Sequence, residues 1–403
     1  MDLYLLDWVN FLLRWAHVIV AIAWIGSSFY FVFLDSSLVE PTDEALREKG
    51  VGGELWAVHG GGFYNPQKYL GAPREVPEHL HWFYWESYST FLTGFALFTA
   101  IYLFQADIFL IDPRVHAWTP ANAVPCALAF LVVFWLGYDA ICRLFDQGNQ
   151  LVAGALIAAL VVFASWLACD LFAGRAAFVL VGAMMAATMS ANVFFWIIPG
   201  QRKVIAQMRA GEAVDPSHGR RAKQRSVHNT YFTLPVLAAM LSNHYAFLHT
   251  TPNNWLVLVI VMAAGALIRT SFVARHRARV LGRRVPWEYA GAGCALLVSL
   301  GVWQAPPSAP VVSSTGTASA LPAAATFAQV QGIVKERCSL CHNAQLANKG
   351  IRLDAPDQIL AHAPQMFQQA VVLKAMPLNN ATQITDAERA VLKRWYEAGA
   401  RPD

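Results

Sequence analysis

Charge is what this chain of 403 residues has least of, because Asp, Glu, Lys and Arg make up only 14% of it. A soluble globular protein carries roughly 25%, so an ordinary soluble enzyme is excluded. The hydrophobic share of 56% equally excludes a disordered or collagen-like chain. The formal net charge of +4 is too small to indicate a nucleic-acid partner. The composition therefore favours a membrane protein.

Cysteine is also sparse, and the sequence lacks a cleavable signal peptide. The six cysteines are too few and too scattered for a disulfide framework. The flank of the first apolar run carries Asp2 and Asp7 in place of basic residues, and no small-x-small cleavage site follows Phe33. We therefore expect this first run to remain in the protein as a helix.

Eight apolar runs lie along the chain, and most reach the ~20 residues that a helix needs to cross ~30 Å of hydrocarbon. We predict an all-α fold, a polytopic bundle of about eight transmembrane helices whose partner is the lipid bilayer. The third run, with Asp139 and Arg143, and the sixth, with Pro235 and His244, are the weakest. The runs lie at about 9–34, 83–106, 123–142, 150–172, 176–198, 230–248, 254–274 and 287–304.

The composition changes after residue 304. Residues 305–325 are rich in Pro, Ser, Thr and Ala, a composition that cannot bury a core and indicates a flexible linker. We therefore predict a transmembrane domain over 1–304, the linker over 305–325 and a small domain over 326–403.

Basic residues are distributed unevenly among the predicted loops. The loop at 200–229 holds seven Lys and Arg and the loop at 275–287 holds five, whereas three loops on the other side together hold two. Because cytoplasmic loops carry the excess of Lys and Arg, we expect the first two loops in the cytoplasm. With eight spans, the N-terminus, the linker and residues 326–403 then lie outside and residues 35–82 inside.

Cys338, Cys341 and His342 form the Cys-x-x-Cys-His pattern of c-type haem attachment. Two thiols one helical turn apart form thioethers to the haem, and the adjacent imidazole ligates the iron. A redox or zinc pair does not require this histidine, and the sequence has no second cysteine pair to complete a zinc site. We therefore predict one covalent haem c.

Two helices are predicted to flank this motif. The first presents apolar residues at helical spacing, and the second opens with a capping box and presents an apolar face. The residues concerned are Phe327, Val330 and Val334 in the first, and Thr385, Glu388, Val391, Leu392 and Trp395 in the second. Together with the haem they describe a minimal cytochrome c.

The loop between these helices is expected to supply the sixth iron ligand. Met376, just before Pro377, is the preferred thioether, with Met366 and His362 as alternatives. The alternative for Met376 is that this side chain only packs in the hydrophobic core. A Met/His pair raises the haem potential, which suits an electron acceptor.

Histidines within the predicted spans are candidate haem ligands, because ionisable groups in a membrane are costly. His17 and His244 both fall in the outer half of the bundle and are predicted to ligate a haem b. Arg14 shares a helix face with His17 and is predicted to contact a haem propionate. The alternative for each histidine is a plain hydrogen bond between helices.

A second group of histidines is predicted at the inner face, where the alternatives are a second haem b, a metal site, general bases or no specific task. Glu86 and Asp139 lie at a similar depth and are candidate proton acceptors. The histidines are His79 and His81 at the start of the second helix, His228 at the start of the sixth and His276 at the end of the seventh.

Residues 59–69 combine a glycine run with aromatic residues and a cation. The spacing is not that of a P-loop or a dinucleotide-binding fingerprint. The segment offers backbone amides, a flat stacking face and the charge of Lys68, which suit a planar anionic heterocycle. An ordinary structured loop is the alternative.

The chain resembles the bacterial membrane-bound urate oxidase (urate hydroxylase) family, in which a multi-span urate oxidase domain is fused to a C-terminal cytochrome c. The resemblance rests on the Cys-x-x-Cys-His motif and on four further segments. These are WAHVIVAIAWIGSSFY at 15–30, HGGGFYNPQKY at 59–69, ANVFFWIIPGQRK at 191–203 and HNTYFTLP at 228–235. The first segment is also similar to small membrane haem proteins of the protoporphyrinogen oxidase type, in which the histidine at the position of His17 ligates haem b.

The resemblance implies oxidation of urate with water to 5-hydroxyisourate, without formation of peroxide. Electrons would pass through haem to the cytochrome c domain and on to a downstream cytochrome c or terminal oxidase. Lys68 and Tyr64 are then the candidate substrate-binding residues, joined by His59, and His81 or Glu86 is the candidate base. The alternatives are another membrane quinol or small-molecule dehydrogenase, and a haem transporter or receptor with a tethered sensor.

Overall fold

The computed structural model describes residues 3–69, 71, 73, 76–146, 148–305, 325–347 and 350–402. Two π-helical segments, Thr99–Leu103 and Val193–Ile197, continue helices in the first 305 residues, and a 3₁₀ turn, Ser242–His244, follows α9. The helices of this part are α1 Leu3–Ser37, α2 Glu44–Glu48, α3 Trp85–Phe98, α4 Ala106–Phe109, α5 Pro120–Leu144, α6 Gln150–Leu171, α7 Gly174–Asn192, α8 Ile198–Arg209, α9 Pro216–Leu241, α10 Ala246–His249, α11 Asn254–Val280 and α12 Glu288–Trp303.

Long apolar helices dominate this part, so the protein is an all-α membrane bundle. Each of the eight predicted apolar runs overlaps a helix. The number of eight spans stays a prediction, since α12 has only 16 residues. Five described helical segments are long and apolar enough to cross a membrane: Trp8–Ser37, Pro120–Leu144, Gln150–Leu171, Gly174–Arg209 and Asn254–Val280.

The sixth predicted helix differs from its expected bounds. α9 begins at Pro216, where the Asp215 side chain accepts a hydrogen bond from the Ser217 N–H, and it ends at Leu241. The prediction that His228 starts this helix is wrong. The first turns of α9 contain four Lys and Arg, so their hydropathy is too low for an apolar run to be recognised there. His244, expected inside the helix, lies in the 3₁₀ turn that follows it.

Two small antiparallel sheets between α2 and α3 were not predicted. β1 (Val51–Glu54) pairs with β4 (Gln67–Tyr69), and β2 (Ala57–His59) pairs with β3 (Gly62–Tyr64). Two residues of the glycine run, at positions 60 and 61, turn the second hairpin with φ of 58° and 79°, a region that favours glycine. The turn between β2 and β3 therefore explains why two glycines stand at these positions.

The bundle has two chemically different ends. At the basic end, Arg209 donates to the carbonyl of Pro77 at 3.0 Å, and Arg221 pairs with Asp146 at 2.8 Å. At the opposite end, the Trp118 indole donates to the carbonyl of Leu171 at 2.7 Å. The basic segment at 200–229 thus contacts the loops before α3 and after α5 at one end of the bundle.

The described residues of 325–347 and 350–402 form a C-terminal unit with its own apolar core. The predicted flanking helices are confirmed: the first buries the three expected apolar residues, and the last opens with the expected capping box and buries Leu392 and Trp395. The predicted linker falls mainly on residues 306–324, which lie outside the described residues. The helices are α13 Phe327–Arg337, α14 Pro356–Ala361, α15 Ala363–Met366 and α16 Asp386–Glu397, with a π-helical segment Phe367–Val372 and a 3₁₀ turn Leu378–Asn380.

The C-terminal unit contacts the opposite end of the bundle. The side-chain amide of Asn379 donates to the carbonyl of Ile108 at 2.7 Å. Ile108 belongs to α4, which follows the helix of the second predicted span. The unit therefore lies at the end away from the basic segments.

Gly293 tests the packing of α12 on α11. A Cβ at this position would lie 2.8 Å from both the Ala264 carbonyl oxygen and Cγ1 of Ile268. We expect Gly293→Val to cost roughly 1–3 kcal/mol through overpacking and to lower the thermal unfolding midpoint in detergent. Gly291→Val on the same helix is the control, because its Cβ would meet nothing within 4 Å. Equal midpoints for the two variants would contradict this packing.

Candidate functional site

A single indole ring at the basic end is surrounded by three guanidinium groups. Arg143, Arg225 and Arg221 lie 5.0, 5.0 and 5.9 Å from the centroid of Trp196, within the range of cation–π attraction. Trp196 belongs to the π-helical segment between α7 and α8. The wider π turn gives its side chain a different direction from that of a regular α-helix.

Arg225 on α9 is the most deeply buried of these cations, with 2% of its side chain exposed. Its Nη2 donates to Oδ1 of Asp139 at 2.7 Å, and Nε of Arg143 donates to Oδ2 at 2.6 Å. A buried charge requires such pairing. Asp139, predicted as a proton acceptor, therefore serves as the counterion of two arginines.

These groups border a cavity of about 190 Å³. Two nitrogens of Arg225, Nε and Nη1, and the indole Nε1 of Trp196 are buried without a hydrogen-bond partner. Buried donors are rarely left unpaired, and charged donors bind anionic acceptors most strongly. The cavity is therefore suited to a small anion. Its lining residues are Cys142, Arg143, Asp146, Trp196, Arg221, Gln224 and Arg225.

A chain of hydrogen bonds lies beside the cavity wall. Asn192 donates to the Tyr138 hydroxyl at 3.0 Å, and this hydroxyl lies 2.9 Å from Nδ1 of His228. Cys142, which lines the cavity, lies 3.6 Å from the same nitrogen. Because Tyr138 accepts from Asn192, its own proton is available to His228, whose proton then lies on Nε2. This tautomer leaves no lone pair on Nε2, and the metal-ligand role predicted for His228 stays a prediction.

The predicted substrate-binding residues lie outside this cavity. Lys68 pairs with Asp35 at the surface, and Tyr64 on β3 is 53% exposed. His59, at the end of β2, is exposed as well. None of the predicted three lines the cavity, and their roles stay predictions.

The predicted bases are also separate from the cavity. The ring of His81 meets that of Phe83 edge-on, with 4.6 Å between the ring centroids. Glu86 lies in the first turn of α3. The rings of His276 and Phe33 meet in the same edge-on way, with 5.0 Å between their centroids. Within the described ranges, no three His, Cys, Asp or Glu side chains group closely enough to hold a metal ion. His228 lies in α9 and His276 in α11, so these two inner histidines belong to different helices.

His17 faces α3 near the middle of the bundle. Its Nδ1 lies 3.1 Å from Oγ1 of Thr93, which donates its own proton to the carbonyl of Ser89 at 2.7 Å. Thr93 therefore accepts the proton of His17 Nδ1, and the Nε2 lone pair remains available as a ligand. Gly94 permits this approach, because a Cβ there would lie 2.7 Å from the imidazole.

The partners predicted for His17 have separate contacts. Arg14 donates to Asn10 at 3.2 Å, one turn earlier on α1. His244 lies beyond the end of α9. Among the described residues, no hydrogen bond or ring contact joins His17 to His244. Their shared ligation of one iron stays a prediction.

Cys338, Cys341 and His342 form one turn after α13. The N–H groups of Cys341 and His342 both donate to the carbonyl of Cys338, at 3.2 and 3.1 Å. Nδ1 of His342 lies 3.2 Å from the Ile351 carbonyl, which only accepts, so the Nε2 lone pair is free for iron. Burial raises the pKa of Cys338 to about 11, so its sulfur is a neutral thiol. These residues fit a covalent haem.

Met376 differs from the alternative ligand Met366 in its surroundings. Met366 is buried in the core of the C-terminal unit, whereas 37% of Met376 is exposed. Arg389 holds the Met376 loop by donating to its carbonyl at 2.9 Å, and it interacts electrostatically with Cys338. His362, the other alternative, has a buried Nδ1 without a hydrogen-bond partner.

Sequence reasoning missed the two residues that dominate the cavity. Arg225 was counted only as a determinant of orientation, although it lies three residues before His228 and four before Asn229 on one helix. Such spacing places side chains on one face and was an available signal. Trp196 lies in a π-helical turn, which no residue pattern in the sequence indicated.

Comparison with known proteins gives one result. The family model described as urate oxidase N-terminal matches residues 3–305. Neither the curated proteins nor the solved structures contain a match to this chain.

The pairing of Asp139 with Arg225 makes a stability prediction. Asp139→Asn removes the counterion of a buried guanidinium, and we expect a loss of about 3–5 kcal/mol, measured by thermal unfolding of the protein in detergent. Asp35→Asn, which breaks the exposed pair with Lys68, is the control and should cost at most about 1 kcal/mol. A mild effect of Asp139→Asn, equal to the control, would show that the pair is not structurally required.

Proposed function

This chain belongs to the urate oxidase N-terminal family, and on that premise we propose that it oxidises urate to 5-hydroxyisourate in the membrane and passes the electrons to its own haem c. The family match over residues 3–305 is the observation that carries the proposal. The reaction consumes urate and one water and releases two electrons and two protons. No oxygen is consumed, so no peroxide forms.

The C-terminal unit supports the electron acceptor in this proposal. The turn at Cys338, Cys341 and His342 presents both thiols and a free imidazole lone pair. Met376 is the proposed sixth ligand, since it is exposed and Arg389 holds its backbone. When bound, the haem accepts one electron at a time, so urate oxidation requires two transfers.

A haem b within the bundle is the proposed intermediate carrier. The hydrogen bond to Thr93 leaves Nε2 of His17 free, as a ligand position requires. His244 is the proposed second ligand and Arg14 the proposed propionate contact. A second haem b, held by histidines of the inner face, is a further proposal.

The arrangement of the ends supports an outward electron path. The helices are compatible with a multi-pass membrane protein, and the basic end is the expected cytoplasmic side. The C-terminal unit contacts the other end through Asn379. We therefore propose a location in the bacterial inner membrane with the cytochrome in the periplasm, from which a downstream cytochrome c or terminal oxidase collects the electrons.

Urate-driven haem reduction tests the proposed function. Urate added without oxygen to membranes that contain the full chain should reduce haem c, seen in its α-band, in step with urate consumption. A double variant, Cys338→Ala with Cys341→Ala, should lose this reduction because thioether attachment is lost. Cys294→Ala, an exposed cysteine on α12, is the control. Reduction by a quinol and not by urate would favour the alternative dehydrogenase.

Haem content tests the proposed carrier. A pyridine haemochrome spectrum of the purified protein should show a type b band beside the type c band, and His17→Ala should remove only the type b band. A type c band alone in the unaltered protein would refute the role of His17.

Arg389 tests the assignment of Met376. Arg389→Gln frees the Met376 carbonyl, so we expect covalent haem c to persist while the near-infrared band of methionine ligation weakens and the haem potential falls. The control is Arg394→Gln, an exposed arginine on the same helix. If Met376 is not the ligand, both variants should keep the spectrum of the unaltered protein.

A further inference from the structure

We propose that the cavity beside Trp196 is the urate-binding site, with Arg225 as the anion-binding residue; this inference rests on the proposed function. The cavity lies at the basic end, between α5, α9 and the π-helical segment. It differs from the segment 59–69, whose residues suggested a substrate site from the sequence alone.

The first argument is the unused hydrogen-bonding capacity of Arg225. Its side chain is 98% buried, yet only Nη2 has a partner, Asp139. Nε and Nη1 are buried donors without acceptors. Leaving charged donors unsatisfied is costly, so the arrangement is completed by a ligand that brings acceptors. The N–H of Nε points to the side of the guanidinium that carries Nη2, so Nε and Nη1 donate in different directions and match two separate acceptor atoms of a ligand.

The second argument is charge. Three arginines and one aspartate line the cavity, and Asp139 behind Arg225 is shared with Arg143. A positive excess therefore faces the cavity. The urate anion carries carbonyl oxygens and ring nitrogens along its edges, so it supplies both the negative charge and the acceptors.

The third argument is shape. The planar guanidinium groups of Arg143 and Arg225 lie over the indole ring of Trp196, whose N–H is unpaired. Planar surfaces favour stacking of a planar heterocycle. A cavity of about 190 Å³ holds about six waters at roughly 30 Å³ each, which suits a small bicyclic molecule and not a lipid or a peptide.

The hydrogen-bonded chain beside the cavity positions Arg225. The Tyr138 ring lies 5.2 Å from the guanidinium carbon of Arg225, and its hydroxyl is held by Asn192. Tyr138 and Asp139 thus fix Arg225 from two sides. Preorganised donors of this kind bind an anion without reorganisation at the moment of binding.

Arg225 is tested with the full-length protein in lipid nanodiscs. Equilibrium dialysis with radiolabelled urate gives Kd, and urate-driven reduction of haem c gives KM and kcat. We expect Arg225→Gln to weaken urate binding roughly 100-fold, because two charge-assisted bonds are lost. Arg225→Lys keeps the charge but not the two separately placed donors, and urate binding should remain about 10-fold weaker. Arg220→Gln is the control, since Arg220 is on the same helix, is 42% exposed and does not line the cavity.

A second variant protects the test against misfolding. Trp196→Phe keeps a ring but removes the unpaired N–H, and we expect a several-fold rise in Kd with haem c content unchanged. If the unaltered protein binds and oxidises urate while Arg225→Gln and Trp196→Phe keep its Kd, the site is wrong and the proposed function stands. If the unaltered protein neither binds nor oxidises urate, the proposed function fails and this inference fails with it.

Discussion

The buried guanidinium of Arg225 is the constraint on which the arrangement of the basic end depends. Placing this charge among apolar helices is tolerable only because Asp139 accepts from it and Tyr138 and Trp196 present their ring faces to it. These partners come from α5 and from the π-helical segment after α7, while Arg225 belongs to α9. One cation thus holds three elements together and still has two nitrogens free for a ligand.

The sequence predicted the helices well and the site poorly, for physical reasons. Apolar runs long enough to cross a membrane and the capping box at Thr385 depend on local composition. The start of α9 was missed because its first turns are basic. Arg225 was therefore counted among the cations of a loop, as a signal of membrane orientation. Contacts between α5 and α9 join residues about 86 positions apart, as in the pair of Asp139 with Arg225, and no local pattern encodes them.

Hydrogen bonds divide the histidines into two kinds. His17 and His342 each direct Nδ1 at an acceptor, a threonine oxygen or a backbone carbonyl, so Nε2 is left as a lone pair for a metal. His228 has the reverse arrangement, because the Tyr138 hydroxyl donates a hydrogen bond to Nδ1 and the imidazole proton lies on Nε2. Residue type alone had grouped these histidines as equivalent candidates. The neighbour of Nδ1 separates those that suit iron from the one that suits a polar network.

The two proposed sites lie too far apart for direct exchange of electrons. Between Arg225 and the end of α9 at Leu241, the helix rises about 24 Å at 1.5 Å per residue, and the C-terminal unit lies beyond that end. His17 meets Thr93, which is about 12 Å along α3 from its start near the basic end. A haem on His17 would therefore divide the path into two shorter steps. Because each haem takes a single electron, a carrier at mid-depth also lets the first electron leave the substrate site before the second follows.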